Sequence, residues 1–425
     1  SKHDIDSRLL GRMNNSLFHR GPDEEGSHVE PGVGLGHRRL SIIDLSTGQQ
    51  PLFNEDHTVV VVYHGEIYNH EEIRRTLIQR GHTFRTRSDT EVIVHAWEEW
   101  GEDSVTRFNG MFAFALWDRN RSELFLARDR LGIKPLYYAV LANGHLIFGS
   151  EMKALLVHPE LERSLNHSAV EEYFAFGYVP EPNTILNGVH KLSPGHTIRF
   201  RHGHIGGIPK QYWDLSFEQS ENQRYEDAMV ELVDRLQASV ERRLMSEVPL
   251  GAFLSGGVDS SAVVAMMSGL MQEKVNTCSI SFGDPKFNES RYAQQIADQY
   301  ATNHYVEVVD SDDYGLIDTL ARHYDEPFAD SSAIPTYRVC ELARRHVTVA
   351  LSGDGGDENF AGYRRYRWHA YEQQVRSRLP QSIRGPMFGM LGRLYPKLDW
   401  APKFLRAKTT FQALAKDSLE GCLLY

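Results

Sequence analysis

PLGAFLSGGVDSSAVVAMMSGLM, residues 249–271, decides the fold of the second half of this chain. Its apolar opening, PLGAFL, reads as a short buried strand, and its end, SSAVVAMMSGLM, carries apolar residues at helical spacing. Between them lies Ser255-Gly256-Gly257-Val258-Asp259-Ser260-Ser261. Glycines let a backbone approach a ligand closely, and a helix start offers unpaired N–H groups and a positive dipole end, so strand, loop and helix in this order predict a phosphate cradle. The serine hydroxyls add donors. No GxxxxGK[ST] pattern occurs, which excludes the loop that places a lysine on the outer phosphates. The bland reading of the same residues is a tight glycine turn with an N-cap serine.

Around this stretch helices and strands alternate: the helix YEDAMVELVDRLQASVERRL, the strand NTCSISF, the helix RYAQQIADQY, then the strands HYVEVV and VTVAL. Such alternation predicts a parallel sheet with helices on both faces and ligands beyond the carboxyl ends of its strands. A second glycine loop follows VTVAL directly: Ser352-Gly353-Asp354-Gly355-Gly356-Asp357-Glu358. Its acids on a flexible backbone suit a hard cation such as Mg²⁺ bridging nucleotide phosphates; a solvated turn is the alternative.

The first half has a different texture. TVVVVY, MFAFALW, ELFLAR, PLYYAVL and HLIFGS are short apolar or alternating runs, separated by turn residues such as DRNRS and Asn143-Gly144, and predict antiparallel sheet. HEEIRRTLIQRG and TEVIVHAWEEWG interrupt them with helical spacing. A layered α+β domain is the simplest assembly, ending in the polar stretch 202–224, where we place the linker.

Bulk properties narrow the function classes. At 425 residues two domains are expected. Hydrophobic residues make up 41% and charged residues 24%, the balance of a soluble globular protein. The net charge of -11 opposes binding to nucleic acid or anionic lipid. No apolar run reaches the roughly 20 residues of a membrane span, and SKHDIDSRLL lacks the apolar core of a secretory signal, so a cytoplasmic location is expected. Cys278, Cys340 and Cys422 show no CxxC spacing, which argues against a disulfide framework or thiolate zinc site; they are expected as buried small hydrophobes. The locally basic tail, 371–425, reads as helical packing surface.

SGGxDSS after a strand resembles the signature of the ATP-pyrophosphatase superfamily, which cleaves ATP between its α and β phosphates. LSGDGGDE at 351–358, preceded by DEPFADSSAIPTY at 325–337, makes the resemblance to the glutamine-dependent asparagine synthetases specific. The first half carries His19-Arg20-Gly21-Pro22-Asp23, Arg38-Arg39-Leu40-Ser41-Ile42, Gly65-Glu66-Ile67-Tyr68-Asn69 and Ser88-Asp89-Thr90-Glu91, which together resemble a class II glutamine amidotransferase domain. The likeness covers nearly the whole chain. It implies two domains: a glutaminase-type α+β layered antiparallel-sheet domain, 1–205, then a linker, 206–224, then an α/β parallel-sheet ATP-pyrophosphatase (Rossmann-like) domain, 225–425.

By the resemblance, Arg39 would grip the glutamine carboxylate, a task that suits guanidinium, and Gly65, Glu66 and Asp89 would hold the rest of it. Leu254, Ser255, Gly256, Gly257, Asp259, Ser260, Ser261, Ile280, Ser352 and Gly353 would bind ATP, and Asp259 and Asp357 would hold Mg²⁺. Asp354 stands where many members have Glu, a carboxylate linked to forming the acyl-adenylate. His64 stands where the family has an Asn oxyanion donor; with Gly65 it is the candidate oxyanion site, and an imidazole N–H there has a different reach and tautomer. The family's nucleophile is an N-terminal cysteine, whereas no cysteine precedes Cys278 here. From the position of HRGPD, the chain is expected to begin inside the family pattern without the opening strand; either the sequence is truncated or the protein does not hydrolyse glutamine. The family's late catalytic lysine is likewise expected beyond Tyr425.

The implied reaction is ATP-dependent adenylation of a carboxylate, aspartate by default, and amide formation with ammonia from glutamine. Two alternatives stay open: a glutaminase-dead ligase or cyclase like the β-lactam synthetases, and a non-catalytic regulatory protein. Glutamine or ammonia and a small acid are the expected partners, with a homodimer left open.

Overall fold

A computed structural model describes residues 5–201, 207–217, 224–283, 288–309, 314–397, 400, 402, 406–422 and 424. Packing divides the chain into two compact units, Ser1–Ser352 and Gly353–Tyr425. Within the first unit, the antiparallel strands end before the helix Tyr225–Arg242 and the parallel ones follow it. Part of the expected linker, 207–217 and 224, is described; the rest lies outside the described residues.

The antiparallel half is built around β4 (Val59–Ile67) and β5 (Gly110–Asp118). With β3 (Leu52–Phe53), β6 (Glu123–Arg128), β10 (His196–Arg201) and β11 (Lys210–Gln211) they form a six-stranded sheet in the order β11-β10-β6-β5-β4-β3. Val59 to Val62 are all buried, because both faces of this sheet are covered. Val59, Val61 and Tyr63 pack beneath helices α2 (His70–Gln79) and α3 (Asp89–Trp100), against Leu77, Ile93 and Trp97. Val60 and Val62 turn the other way, toward Leu35 of the hairpin β1 (Glu24–Glu30)/β2 (Val33–Arg39). The same core takes in Tyr138, Leu146 and Phe148 of a three-stranded sheet, β7 (Tyr137–Val140), β8 (Leu146–Gly149) and β9 (Val189–Lys191), ordered β8-β7-β9. That second sheet packs its far face, through Ala139 and Ile147, against the helices Met152–Leu156 and His167–Phe176 and against Met13 of α1 (Ser7–Asn15). Helix, sheet, sheet and helix layers result, as expected of two sheets that each bury both faces.

The parallel sheet comprises β12 (Leu250–Phe253), β13 (Asn276–Phe282), β14 (Asn303–Val309) and β15 (Val349–Leu351), in the order β14-β13-β12-β15. The helices Val258–Leu270, Ser290–Gln299 and Ala333–Arg344 lie in its crossovers. From β12 the chain moves outward to β13 and β14, then returns to the other side of β12. The order reverses at β12, so the crevice beyond its carboxyl end is where a ligand is expected. Cys278 is buried in this sheet, whereas Cys340 and Cys422 are exposed, which corrects the expectation of three buried thiols: both sit on helices with one face turned to water.

The two parts of the first unit are tied by charge. Glu326 meets Lys191 at 2.6 Å, with both side chains nearly buried, and accepts from the Ile185 N–H at 2.7 Å. Asp325 meets Lys153 at 3.0 Å, and Glu247 accepts from the N–H groups of Asp44 and Leu45. The second unit consists, among the described residues, of helices: Gly356–Phe360, Arg364–Arg378, Gln381–Leu394, Lys408–Ala415 and Ser418–Cys422.

Candidate functional site

In the first half, Arg39, His64, Gly65, Glu66 and Asp89 all line one cavity of about 880 Å³, which continues between the two sheets along Leu35, Val62, Leu136 and Phe148. Arg39 ends β2, and His64, Gly65 and Glu66 lie near the carboxyl end of β4, paired with β5. Asp89 opens α3, where Ser88 Oγ accepts the Thr90 N–H and caps the helix.

Arg39 and Asp89 are held by neighbours. Arg39 is buried, paired with Glu24 at 2.9 Å and donating to the carbonyls of Ile43 and Asp44 at 3.0 and 2.7 Å. Three of its five N–H donors are thereby engaged. Asp89 accepts from Tyr63 Oη at 2.7 Å and from the Ile67 N–H at 2.9 Å, so strand and helix jointly fix it. Gly65 is required by close approach: a Cβ there would lie 2.1 Å from the Met111 carbonyl oxygen on β5. The His64 Nδ1 atom is buried and has no hydrogen-bond partner among the described residues.

Electrostatics distinguish these groups. Burial, then the nearby Asp89 charge, pushes the Glu66 carboxyl up to about 7, against the opposing pull of Lys134 and Arg243. Burial also raises Asp89, although its two hydrogen bonds oppose the rise. Burial holds His64 well below its ordinary value, so it is a neutral imidazole, and burial lowers Lys134 as well. Lys134 is a lining residue that the sequence reading missed. Its position depends on contacts that no sequence pattern shows: Asp129, buried, accepts the N–H groups of Leu131, Ile133, Lys134 and Phe112 at 3.0–3.1 Å and so folds the turn that delivers Lys134 to the cavity. Arg20 lines the cavity too.

In the parallel half, Leu254 is buried and donates its N–H to Cys278, continuing the register of β12. Ser255 then turns away from the sheet. Its N–H donates to Ser260 Oγ at 3.3 Å, and the Gly257 N–H donates to Ser255 Oγ at 3.2 Å. Gly256 has φ +86°, and a Cβ there would sit 2.6 Å from the Ala293 backbone nitrogen, so the turn needs glycine twice over. Gly257 is the N-cap of the helix Val258–Leu270 and makes no side-chain capping bond to its first N–H groups, which a helix start leaves without intrahelical partners. Asp259 and Ser260 stand in that first turn, and Ser261 Oγ is buried without a hydrogen-bond partner among the described residues. Ile280 of β13 and Ser352, which follows β15, come off the same carboxyl edge of the sheet.

In the second unit, Gly353 accepts the Gly356 N–H at 3.2 Å, and Gly355, at φ +87°, lets the helix Gly356–Phe360 begin. Asp354 is exposed, and Asp357 is partly buried against Gly362, whose N–H it accepts through its carbonyl. Asp259 and Asp357 each present a carboxylate from a first helical turn, a hard oxygen donor of the kind Mg²⁺ takes.

The glutamine amidotransferase domain family matches residues 1–213 and the asparagine synthase family matches residues 231–420. Asparagine synthetase (glutamine-hydrolyzing) 1 of Bacillus subtilis is 40% identical over 362 residues, which is 84% of this chain and 56% of that protein. Asparagine synthetase (glutamine-hydrolyzing) 3 of the same organism is 34% identical, over 84% of this chain and 61% of its own length. A putative asparagine synthetase (glutamine-hydrolyzing) 2 of Methanocaldococcus jannaschii is 38% identical over 401 residues, 88% of this chain and 76% of that protein. The chain thus spans a little over half the length of the Bacillus relatives, and it belongs to the glutamine-hydrolysing asparagine synthetase family.

Proposed function

We propose that the protein makes an amide: a carboxylate, aspartate by default, is activated by ATP and then captured by ammonia drawn from glutamine. The observation that carries this is the convergence of Arg39, His64, Gly65, Glu66 and Asp89, drawn from 51 positions of chain, on one cavity. Spacing alone does not bring those residues together. Arg39 keeps N–H donors for the glutamine α-carboxylate, while Glu66 and Asp89 face its α-ammonium, whose charge would bring both carboxyls back toward ionisation. The neutral His64 would donate one N–H to the oxygen that gains charge as the side-chain amide is attacked.

In the other half, the open helix start after Gly257 and the hydroxyls of Ser255, Ser260 and Ser261 would hold the departing pyrophosphate. Leu254 and Ile280 would flank adenine or ribose, and Ser352 and Gly353 would touch the nucleotide. The carboxylate oxygen attacks the α-phosphorus, pyrophosphate leaves, ammonia adds to the acyl carbon, and AMP departs with the C–O bond. Asp259 and Asp357 would hold Mg²⁺, which supplies charge compensation for the leaving phosphates. Asp354 would serve the adenylation step. The domain boundaries follow the same reading, 1–205 and 225–425 with a linker at 206–224, as does a cytoplasmic location; no helix among the described residues is long and apolar enough to cross a membrane.

The test uses the protein at its full natural length: calorimetric titration with glutamine and, separately, with ATP and Mg²⁺, beside Arg39→Met and Asp259→Ala. Each variant should lose one ligand and keep the other. Loss of both or neither in either variant would remove the assignment of two sites.

A further inference from the structure

Outside both of these sites, on the opposite side of α3, Glu55, His82, His95 and Glu98 bring their ligating atoms together from three elements. Glu55 comes from the loop after β3, His82 from the turn after α2, and His95 and Glu98 from one face of α3, three residues apart. His95 Nδ1 lies 3.1 Å from Glu98 Oε2 and 3.4 Å from Glu55 Oε2, and His82 Nδ1 lies 3.7 Å from the same Glu98 oxygen. Ligand atoms of Glu55, His82 and His95 all fall within 4.8 Å of one another. Tetrahedral zinc, with bonds of about 2.0–2.1 Å, sets its ligand atoms about 3.3 Å apart. The pairs at 3.1, 3.4 and 3.7 Å bracket that spacing, while Glu98 lies outside the 4.8 Å group and has to close in as the ion binds.

The surrounding groups orient every one of the four. Glu98 Oε1 accepts from Asn54 Nδ2 at 2.7 Å and Glu55 Oε1 from the Thr83 N–H at 3.0 Å, which leaves both Oε2 atoms turned toward His95. His82 Nε2 faces Glu99 Oε2 at 3.5 Å. His95 is 1% exposed, and its Nε2 atom has no hydrogen-bond partner among the described residues; it points to Glu91 Oε1 at 3.7 Å. Glu91 is itself anchored by the N–H groups of Arg85 and Thr86, both at 2.7 Å. Metal-bound histidines commonly present their other ring nitrogen to a carboxylate in this way. A single Nδ1 can donate to only one of the two carboxylate oxygens it faces, so the set holds more acceptors than protons to satisfy them.

We propose that Glu55, His82, His95 and Glu98 form a structural site for a divalent transition ion, Zn²⁺ first, that pins the loop after β3 and the turn after α2 to α3. Two imidazoles with two carboxylates suit zinc and disfavour Mg²⁺ or Ca²⁺, which take all-oxygen sets. Four protein ligands close the coordination, so the ion is structural and carries no reaction. On binding, it replaces whatever proton is shared between His95 Nδ1 and the facing carboxylates.

The test strips the protein with chelator, then titrates it with Zn²⁺ by calorimetry and with Co²⁺ by its visible d–d absorption, counting bound metal after dialysis. We expect one ion per chain, sub-micromolar affinity and a tetrahedral Co²⁺ spectrum. His82→Gln, at a partly exposed position, should weaken binding roughly 100-fold or more with an unchanged circular dichroism spectrum, and His95→Gln should abolish it. His167→Gln, an exposed histidine elsewhere, should change nothing. No retained metal, or equal affinity in wild type and His82→Gln, would overturn the proposal and leave the cluster as a protonated His95 among glutamates. The His82 variant keeps the test decisive if the buried His95 variant does not fold.

Discussion

Replacing Glu66 by glutamine removes a carboxyl that burial and the Asp89 charge push from 4.5 to about 7. Between those two values the folded protein holds a proton there that the unfolded chain releases, so this group makes stability fall as pH rises from below 4.5 through 7. The loss is complete above about 8. At about 1.4 kcal/mol per tenfold, the gap amounts to about 3 kcal/mol. Glutamine keeps the shape and carries no charge at any pH. Glu66→Gln should therefore match the wild type near pH 4.5 and exceed it by up to about 3 kcal/mol at pH 8, which in a domain of this size is roughly 5–10 °C in melting temperature. The assay is thermal unfolding of both proteins, without ligand, at half-unit steps from pH 4.5 to 8.5. Titrating groups that do not interact with Glu66 cancel in the difference, which is the quantity to plot; Asp89 and Lys134, which do, shift with it. A difference that stays flat across that range, or that grows toward acid, would refute the reasoning. The same variant should bind glutamine more weakly at every pH, because the site loses a partner for the α-ammonium.

Other perturbations separate fold from site. Gly256→Ala must place a Cβ against the Ala293 backbone at positive φ, so it should cost about 1–3 kcal/mol and reduce ATP affinity while leaving glutamine binding intact, read by parallel titrations. Lys191→Met should destabilise the protein by about 3 kcal/mol in denaturant unfolding, since it strands Glu326 in a nearly buried position; Glu326→Gln on that background should recover much of the loss. Trp97→Ala removes a side chain 1% exposed beneath β4 and the Trp97 Nε1–Asp118 bond, and should cost about 3–5 kcal/mol in the same measurement.

The division into antiparallel and parallel strands was readable because its cues are local. PLGAFL and NTCSISF are short apolar runs, and Asn143-Gly144 forms the expected turn with Gly144 at φ +83°. The hairpin Glu24–Arg39 was not legible, because EEGSHVE and VGLGHRR carry few large apolar side chains and the hairpin is held mainly by register and by Arg39–Glu24. Nor was it evident that TVVVVY is buried on both faces, since that depends on a second sheet assembled from residues 137–191. The site divides the same way. Residues within a continuous motif, such as Ser255–Ser261, could be placed from sequence. Lys134, Asp129 and the Glu55–His82–His95–Glu98 cluster could not, because their partners come from separate elements and each residue alone has an ordinary explanation.

The most direct measurement of the central claim is pyrophosphate release by the full-length protein with ATP, Mg²⁺ and aspartate, with ammonium or glutamine as nitrogen donor and Asp259→Ala as control. The account predicts pyrophosphate and AMP in equal amounts with asparagine when ammonium is supplied, and none of the three in the control. ADP and phosphate in place of AMP and pyrophosphate, or equal release by Asp259→Ala, would contradict it.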